Sequence, residues 1–188
     1  QNEVDESTDG FMTISGLEEK VTVHYDEHLI PHIFAQNDLD LYKAQGYITA
    51  KHRLWQMEFQ THAAAGRLSE IIGEKALVYD REQRRKGLGF GAENSFKKIK
   101  ENPQSLAALQ AYSDGVNSFI NQLETKDYPV EYKLLDYSPE PWSIKKTTYL
   151  LMYMTDMLCG RDTDLEYTNA LRELGKERFD FLYPDFYD

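Results

Sequence analysis

The chain has one cysteine, Cys159, among 188 residues, so no disulfide can form within it. This suits a reducing compartment and equally an exported protein that folds without bridges. Cationic side chains are also scarce: 21 Lys and Arg stand against 32 Asp and Glu, for a net charge of -11. Nucleic acid and anionic membrane surfaces are therefore poor candidates as partners, because both demand a cationic face. No apolar run approaches the ~20 residues that a membrane span needs, the longest being the short one from Tyr149 to Met154. A His-Glu-x-x-His zinc pattern is missing too. His24, His28, His32, His52 and His62 are scattered, and Pro31 forbids a regular helix between His28 and His32. The chain opens at Gln1 with a polar, acidic run through Asp9, without an initiator Met or a signal-like apolar segment. Such an opening is expected of a processed N-terminus and equally of a trimmed one.

With 41% hydrophobic and 13% aromatic residues, the chain has enough apolar surface for one sizeable core. Residues 1–15 are expected to be a flexible segment, followed by a single domain over 16–188. Lys20 to Asp26 alternates β-branched and polar residues in the manner of a half-buried strand, and Pro31–Ala35 reads as a second, short one. The polar stretch Asp26-Glu27-His28 makes an antiparallel hairpin the simplest connection. A lone hairpin is marginal in water, so these strands should add to a sheet supplied by something else.

From Asn37, an N-cap with Asp40 at the third helical position, the apolar spacing becomes helical, and Gly66 closes that helix. A short helix from Arg67 to Ile72 stops at Gly73. Residues 82–98 read as a long connection or a broken helix. Ser105 is expected to cap an amphipathic helix whose stripe runs from Leu106 through Leu109, Tyr112, Val116 and Phe119 to Leu123. Pro129 to Pro141 should be extended and turn-rich. Ser143 can cap the next helix, which is apolar on nearly every face from Tyr149 to Leu158 and is expected to be buried all round. After a break at 160–163, a final helix runs from Thr163 to Leu174 and ends at Gly175.

Several motifs occur in a telling order. Asp26-Glu27-His28-Leu29-Ile30-Pro31-His32-Ile33-Phe34-Ala35 leads into Gly46-Tyr47-Ile48-Thr49-Ala50-Lys51-His52-Arg53-Leu54-Trp55-Gln56-Met57-Glu58, then Gly66-Arg67-Leu68-Ser69-Glu70. Asp80 to Arg85, Tyr112-Ser113-Asp114-Gly115-Val116-Asn117, and the stretch from Pro129 through Tyr132 and Tyr137 to Trp142 follow. Together they resemble the small (α) chain of the penicillin acylase family of N-terminal nucleophile hydrolases.

That resemblance implies an α+β fold: a mostly helical small chain giving its N-terminal strands to a four-layer αββα sandwich built mainly by a larger β chain. It implies an amidohydrolase cut from one precursor, in which the nucleophile is the first residue of the β chain, a Ser, Thr or Cys. That residue's own α-amine takes the proton, a task suited to a group whose ordinary pKa is about 7.7 to 8.0. No catalytic residue is then expected on this chain, and a periplasmic or secreted location follows. Family substrates include penicillins, cephalosporin derivatives and N-acyl-homoserine lactones.

Two contributions from this chain are implied. Met154, Met157, Leu158, Cys159 and Arg161 correspond to the segment lining the acyl pocket; Arg161 is a candidate for contact with a substrate carboxylate, beside the plainer reading of a solvent-exposed loop arginine. The family's pocket aromatic has no counterpart here, which points to a pocket of different shape. A plain core role for Met154, Met157 and Leu158 stands beside this reading. Glu166, in Glu166-Tyr167-Thr168-Asn169, corresponds to a calcium-binding glutamate whose remaining ligands come from the other chain. The alternative is a capping box between Thr163 and Glu166. The charges of Gly66–Glu70 and Arg84-Arg85 suit ion pairing against the partner chain. A rival reading from another class is a non-catalytic helical domain that binds a protein partner.

Overall fold

A computed structural model describes residues 10, 11, 13–159 and 163–184. It divides into two compact units, residues 1–154 and 155–188.

In the first unit, β1 (Thr22–Tyr25) pairs antiparallel with β2 (Pro31–Phe34), matching Thr22 with Phe34 and His24 with His32. The hairpin expected from the alternation is there. Its turn is organised by Asp26, whose Oδ1 accepts from the amides of His28 and Ile30, while Leu29 takes a left-handed φ of 59°.

Helix α1 (Asp38–Ala65) begins as expected, with Asn37 Oδ1 accepting from the Asp40 amide at 2.8 Å, and it ends at Gly66 with φ 63°. A kink at Arg53, where φ is -141° and ψ 20°, divides it. The short α2 (Ser69–Ile72) and a 3-10 turn lead to α3 (Leu77–Lys86) and α4 (Leu88–Lys100). The charged region 82–98 is thus a broken helix, interrupted at Gly87, whose φ of 78° only glycine adopts freely.

Helix α5 (Pro103–Ile120) carries the predicted stripe but starts earlier than Ser105. Asn102 is the cap: its side chain accepts from the Ser105 amide at 3.0 Å, and Pro103 takes the first helical position, where its missing N–H costs nothing. The segment Pro129–Pro141 is not extended throughout either. It contains α6 (Val130–Leu135), which buries Tyr132 completely.

The core lies where α1 crosses α5. Ala50, Leu54 and Met57 pack with Val116, Tyr132 and Trp142. At the crossing, two glycines let the backbones touch. A Cβ on Gly46 would lie 2.1 Å from the Tyr112 carbonyl oxygen, and one on Gly115 would lie 1.9 Å from that of Lys43. Both glycines belong to motifs noted in the sequence, and close approach explains them.

Helix α7 (Ile144–Leu158) corrects a further expectation. Ile144, Lys146 and Thr148 are buried, but Leu151, Met154, Met157 and Leu158 are exposed, Leu158 by 73%. All-round apolarity identifies a surface that must be covered; Met152 and Tyr153 are half-buried, Tyr153 against Ala63, Leu68 and Ala76, but the described residues leave Met154, Met157 and Leu158 open.

The second unit holds α8 (Asp164–Leu174) and α9 (Lys176–Leu182), with Tyr167, Phe179 and Tyr183 in mutual ring contact. Neither helix buries a residue. No helix among the described residues is long and apolar enough to cross a membrane.

Candidate functional site

The most heavily built polar feature is a buried cluster in the first unit. Helix α1 presents Glu58 and His62 one turn apart, each 1% exposed. The Tyr132 hydroxyl donates to Glu58 Oε2, while Glu58 Oε1 accepts from the Tyr137 hydroxyl at 3.2 Å and the Glu140 amide at 2.9 Å. Lys146, in the first turn of α7, brings its Nζ to 3.6 Å from Glu58 Oε1 and 3.1 Å from Glu140 Oε2. Arg67 Nη2 donates to Glu140 Oε1 at 2.9 Å and, with Nε, to Glu70. His62 Nδ1 lies 3.0 Å from the Glu58 carbonyl oxygen, to which only a protonated nitrogen can bond, so Nε2 faces Tyr137 and Glu140.

Electrostatics follow from these neighbours. Partial burial would raise the Glu140 carboxyl, but Arg67 and Lys146 outweigh it and hold the group at about 2. Burial, and then the charge of Glu58, push the Tyr132 hydroxyl far above its ordinary range.

Glu58, His62 and Glu140 also bring ligand atoms within 4.8 Å of one another, the spacing of a metal site. Their oxygens, however, already face an ammonium and a guanidinium. Those two cations supply the positive charge that a metal would bring, so the donor set does not call for one. Two open grooves, of about 600 and 500 Å³, do not reach the cluster. Glu58 and His62 are sealed from solvent, while the Glu140 and Arg67 side chains are 32% and 36% exposed; the cluster can hold elements in place.

Some residues of the other charged motifs also bond within the chain. Buried Asp80 accepts from the amides of Leu68 and Ser69, each at 2.8 Å, and from the Ser69 hydroxyl. Arg84 Nε donates to the Gly66 carbonyl at 2.9 Å. Arg67 and Arg84 thus bond within the chain around Gly66–Glu70, while Arg85 is exposed. Asn117 clamps Trp142 through both its amide and carbonyl, at 2.7 and 2.9 Å.

The residues predicted from sequence lie elsewhere. Met154 closes the first unit; Met157, Leu158 and Cys159 fall in the second and are exposed. Arg161 lies outside the described residues. Glu166 is exposed in the first turn of α8, and the Thr163 side chain makes no capping bond, so the capping box is not formed. An exposed carboxylate fits the donation of one hard oxygen to calcium, although Glu166 joins no cluster of three metal-binding groups among the described residues. The Glu58–His62 pair went unread because charged residues on a helix look solvated; their spacing of four behind Leu54 was the available signal.

A sequence profile of the penicillin amidase family matches residues 20–186. The chain belongs to the penicillin amidase family. Among its family relatives, penicillin acylase 2 proenzyme of Pseudomonas sp. strain SE83 is 37% identical over 133 residues, covering 71% of this chain and 17% of the relative. Acyl-homoserine lactone acylase QuiP of Pseudomonas fluorescens is 27% identical over 185 residues, covering 96% of this chain and 22% of the relative. The chain therefore spans about a fifth of the length of these curated relatives. In fold it is similar to thermostable penicillin G acylase from Alcaligenes faecalis, with a TM-score of 0.71 at 24% identity, covering 90% of this chain and 94% of the solved one.

Proposed function

We propose that this penicillin amidase family chain is the small chain of a processed, heterodimeric acylase that hydrolyses the linear amide of an N-acylated substrate. The observation that carries this reading is the contrast in coverage: the fold spans 94% of one solved acylase chain, whereas the sequence spans only 17% of a relative named as a proenzyme. The exposed apolar residues of α7, α8 and α9 support a large partner surface.

On this reading the partner chain begins with Ser, Thr or Cys, whose side chain attacks the amide carbonyl while its α-amine accepts the proton. The amine product leaves, and water releases the acid from the acyl-enzyme. Met154, Met157, Leu158 and Cys159 line the acyl site, and Arg161 stands at its edge. Glu166 gives one oxygen to a structural calcium completed by the partner; the ion would hold the two chains together. The strands β1 and β2 extend the partner's sheet, and the enzyme works in the periplasm or outside the cell.

Penicillin-type side chains are the first substrate class. N-acyl-homoserine lactones are the second, favoured by the match to the lactone acylase over 96% of this chain. The test is intact mass and N-terminal sequencing of whatever copurifies with this chain from its native precursor, followed by assay on N-acyl amides and lactones. A larger chain beginning with Ser, Thr or Cys is expected. A partner starting with another residue, or this chain alone and monodisperse, would overturn the reading in favour of a binding domain.

A further inference from the structure

Helix α7 is held very differently along its length. At its start, Lys146 Nζ sits between Glu58 Oε1 at 3.6 Å and Glu140 Oε2 at 3.1 Å, with the Glu140 carbonyl at 3.5 Å. Just before it, Trp142 is clamped by Asn117 and donates from Nε1 to the Thr147 hydroxyl at 3.1 Å. Farther along, Met152 and Tyr153 are half-buried, whereas Leu151, Met154, Met157 and Leu158 are exposed. The buried charge on α7 therefore lies in its first turn, ahead of the exposed Met154.

We propose that Lys146, held by Glu58 and Glu140, is a positioning residue that fixes the depth and rotation of Met154 in the acyl site. This rests on the assignment of Met154 to that site. Met154 follows Lys146 by eight residues on α7, a rise of about 12 Å. A tilt of about 5° at the first turn moves it by about 1 Å, a misplacement large enough to change rates up to about 100-fold when it occurs beside reacting groups. The buried charges supply the stiffness. Lys146 cannot leave without stranding Glu58, and Glu58 cannot shift without losing Tyr132, Tyr137 and the Glu140 amide. A merely apolar contact at that point would tolerate sliding.

The test uses the processed two-chain enzyme, assayed on phenylacetyl, hexanoyl and decanoyl p-nitroanilides. Lys146→Met leaves Glu58 without its cation and can fail to fold, so Glu58→Gln with Lys146→Gln is the working variant, with Lys146→Arg as the conservative one. Folding is checked by Tm and by complete processing. The expected result is a change of about 10-fold in the ratio of kcat/KM between long-chain and phenylacetyl substrates, carried more by KM than by kcat and largely restored in Lys146→Arg. A folded, processed double variant with the wild-type ratio would overturn the proposal while leaving the acylase reading intact. A processed wild-type enzyme that cleaves none of these amides and no N-acyl-homoserine lactone would remove both.

Discussion

The first unit and the second spend their apolar residues in opposite ways. Residues 1–154 bury a core at the α1–α5 crossing and satisfy buried charges internally, as buried Asp80 does with Leu68 and Ser69. In residues 155–188, α8 and α9 bury nothing, and Leu165 and Phe181 are 76% and 83% exposed. One unit carries the requirements for its own folding; the other carries requirements for something placed against it. Stability and association should therefore respond to different residues, and that separation can be attacked directly.

The largest effect is expected at Gly115. Gly115→Ala forces a methyl group against the Lys43 carbonyl and should cost about 3 kcal/mol or more, with loss of folded protein by urea denaturation. A mild effect there would mean that the crossing is looser than its geometry.

Acid should act on the first unit next. Burial alone would raise the carboxyls of Asp40 and Asp80, but hydrogen bonds hold both low, from the Glu18 and Glu19 amides at Asp40 and from the Ser69 hydroxyl and the Ser69 and Leu68 amides at Asp80; Glu140 is held at about 2 against an ordinary 4.5. Each folded pKa lies below its unfolded one, so the stability they bring is present above the unfolded pKa and is lost as pH falls; for Glu140 the loss runs from about 4.5 down to about 2. A drop in Tm on the order of 5 °C between pH 5 and pH 2.5 is expected. A flat profile over that range would show the cluster to be worth little.

The smallest stability effect is reserved for the second unit. Phe181→Ser should change the unfolding free energy of this chain by no more than about 0.5 kcal/mol while weakening its capture of a copurified partner chain. A large loss of stability would erase the distinction between the units.

Local signals in the sequence described the first unit well wherever the cause was itself local. Alternation gave the hairpin, and Asn37 and Gly66 gave both ends of α1. At α5 the sequence reading placed the cap at Ser105, whereas the cap is Asn102, marked by Pro103 immediately after it. Helix α6 was hidden because prolines flank it, and Tyr132 owes its burial to Trp55 and Glu58, far away in sequence. The cluster around Glu58 was illegible for the same reason: its members come from α1, the 132–140 stretch and α7, and only tertiary structure gathers them. For α7 the all-round apolar composition predicted burial, yet Leu151, Met154, Met157 and Leu158 are exposed, because composition does not say which surface covers a helix.

The paired glycines at the α1–α5 crossing have a consequence for alignment. Each occupies the single place where the other helix's backbone leaves no room for a side chain. If α5 slipped by one residue, Asp114 or Val116 would meet the Lys43 carbonyl, and the helices would be driven apart. The crossing therefore works as a key with one cut, in which two missing side chains select a single register out of all the ways two helices could slide along each other.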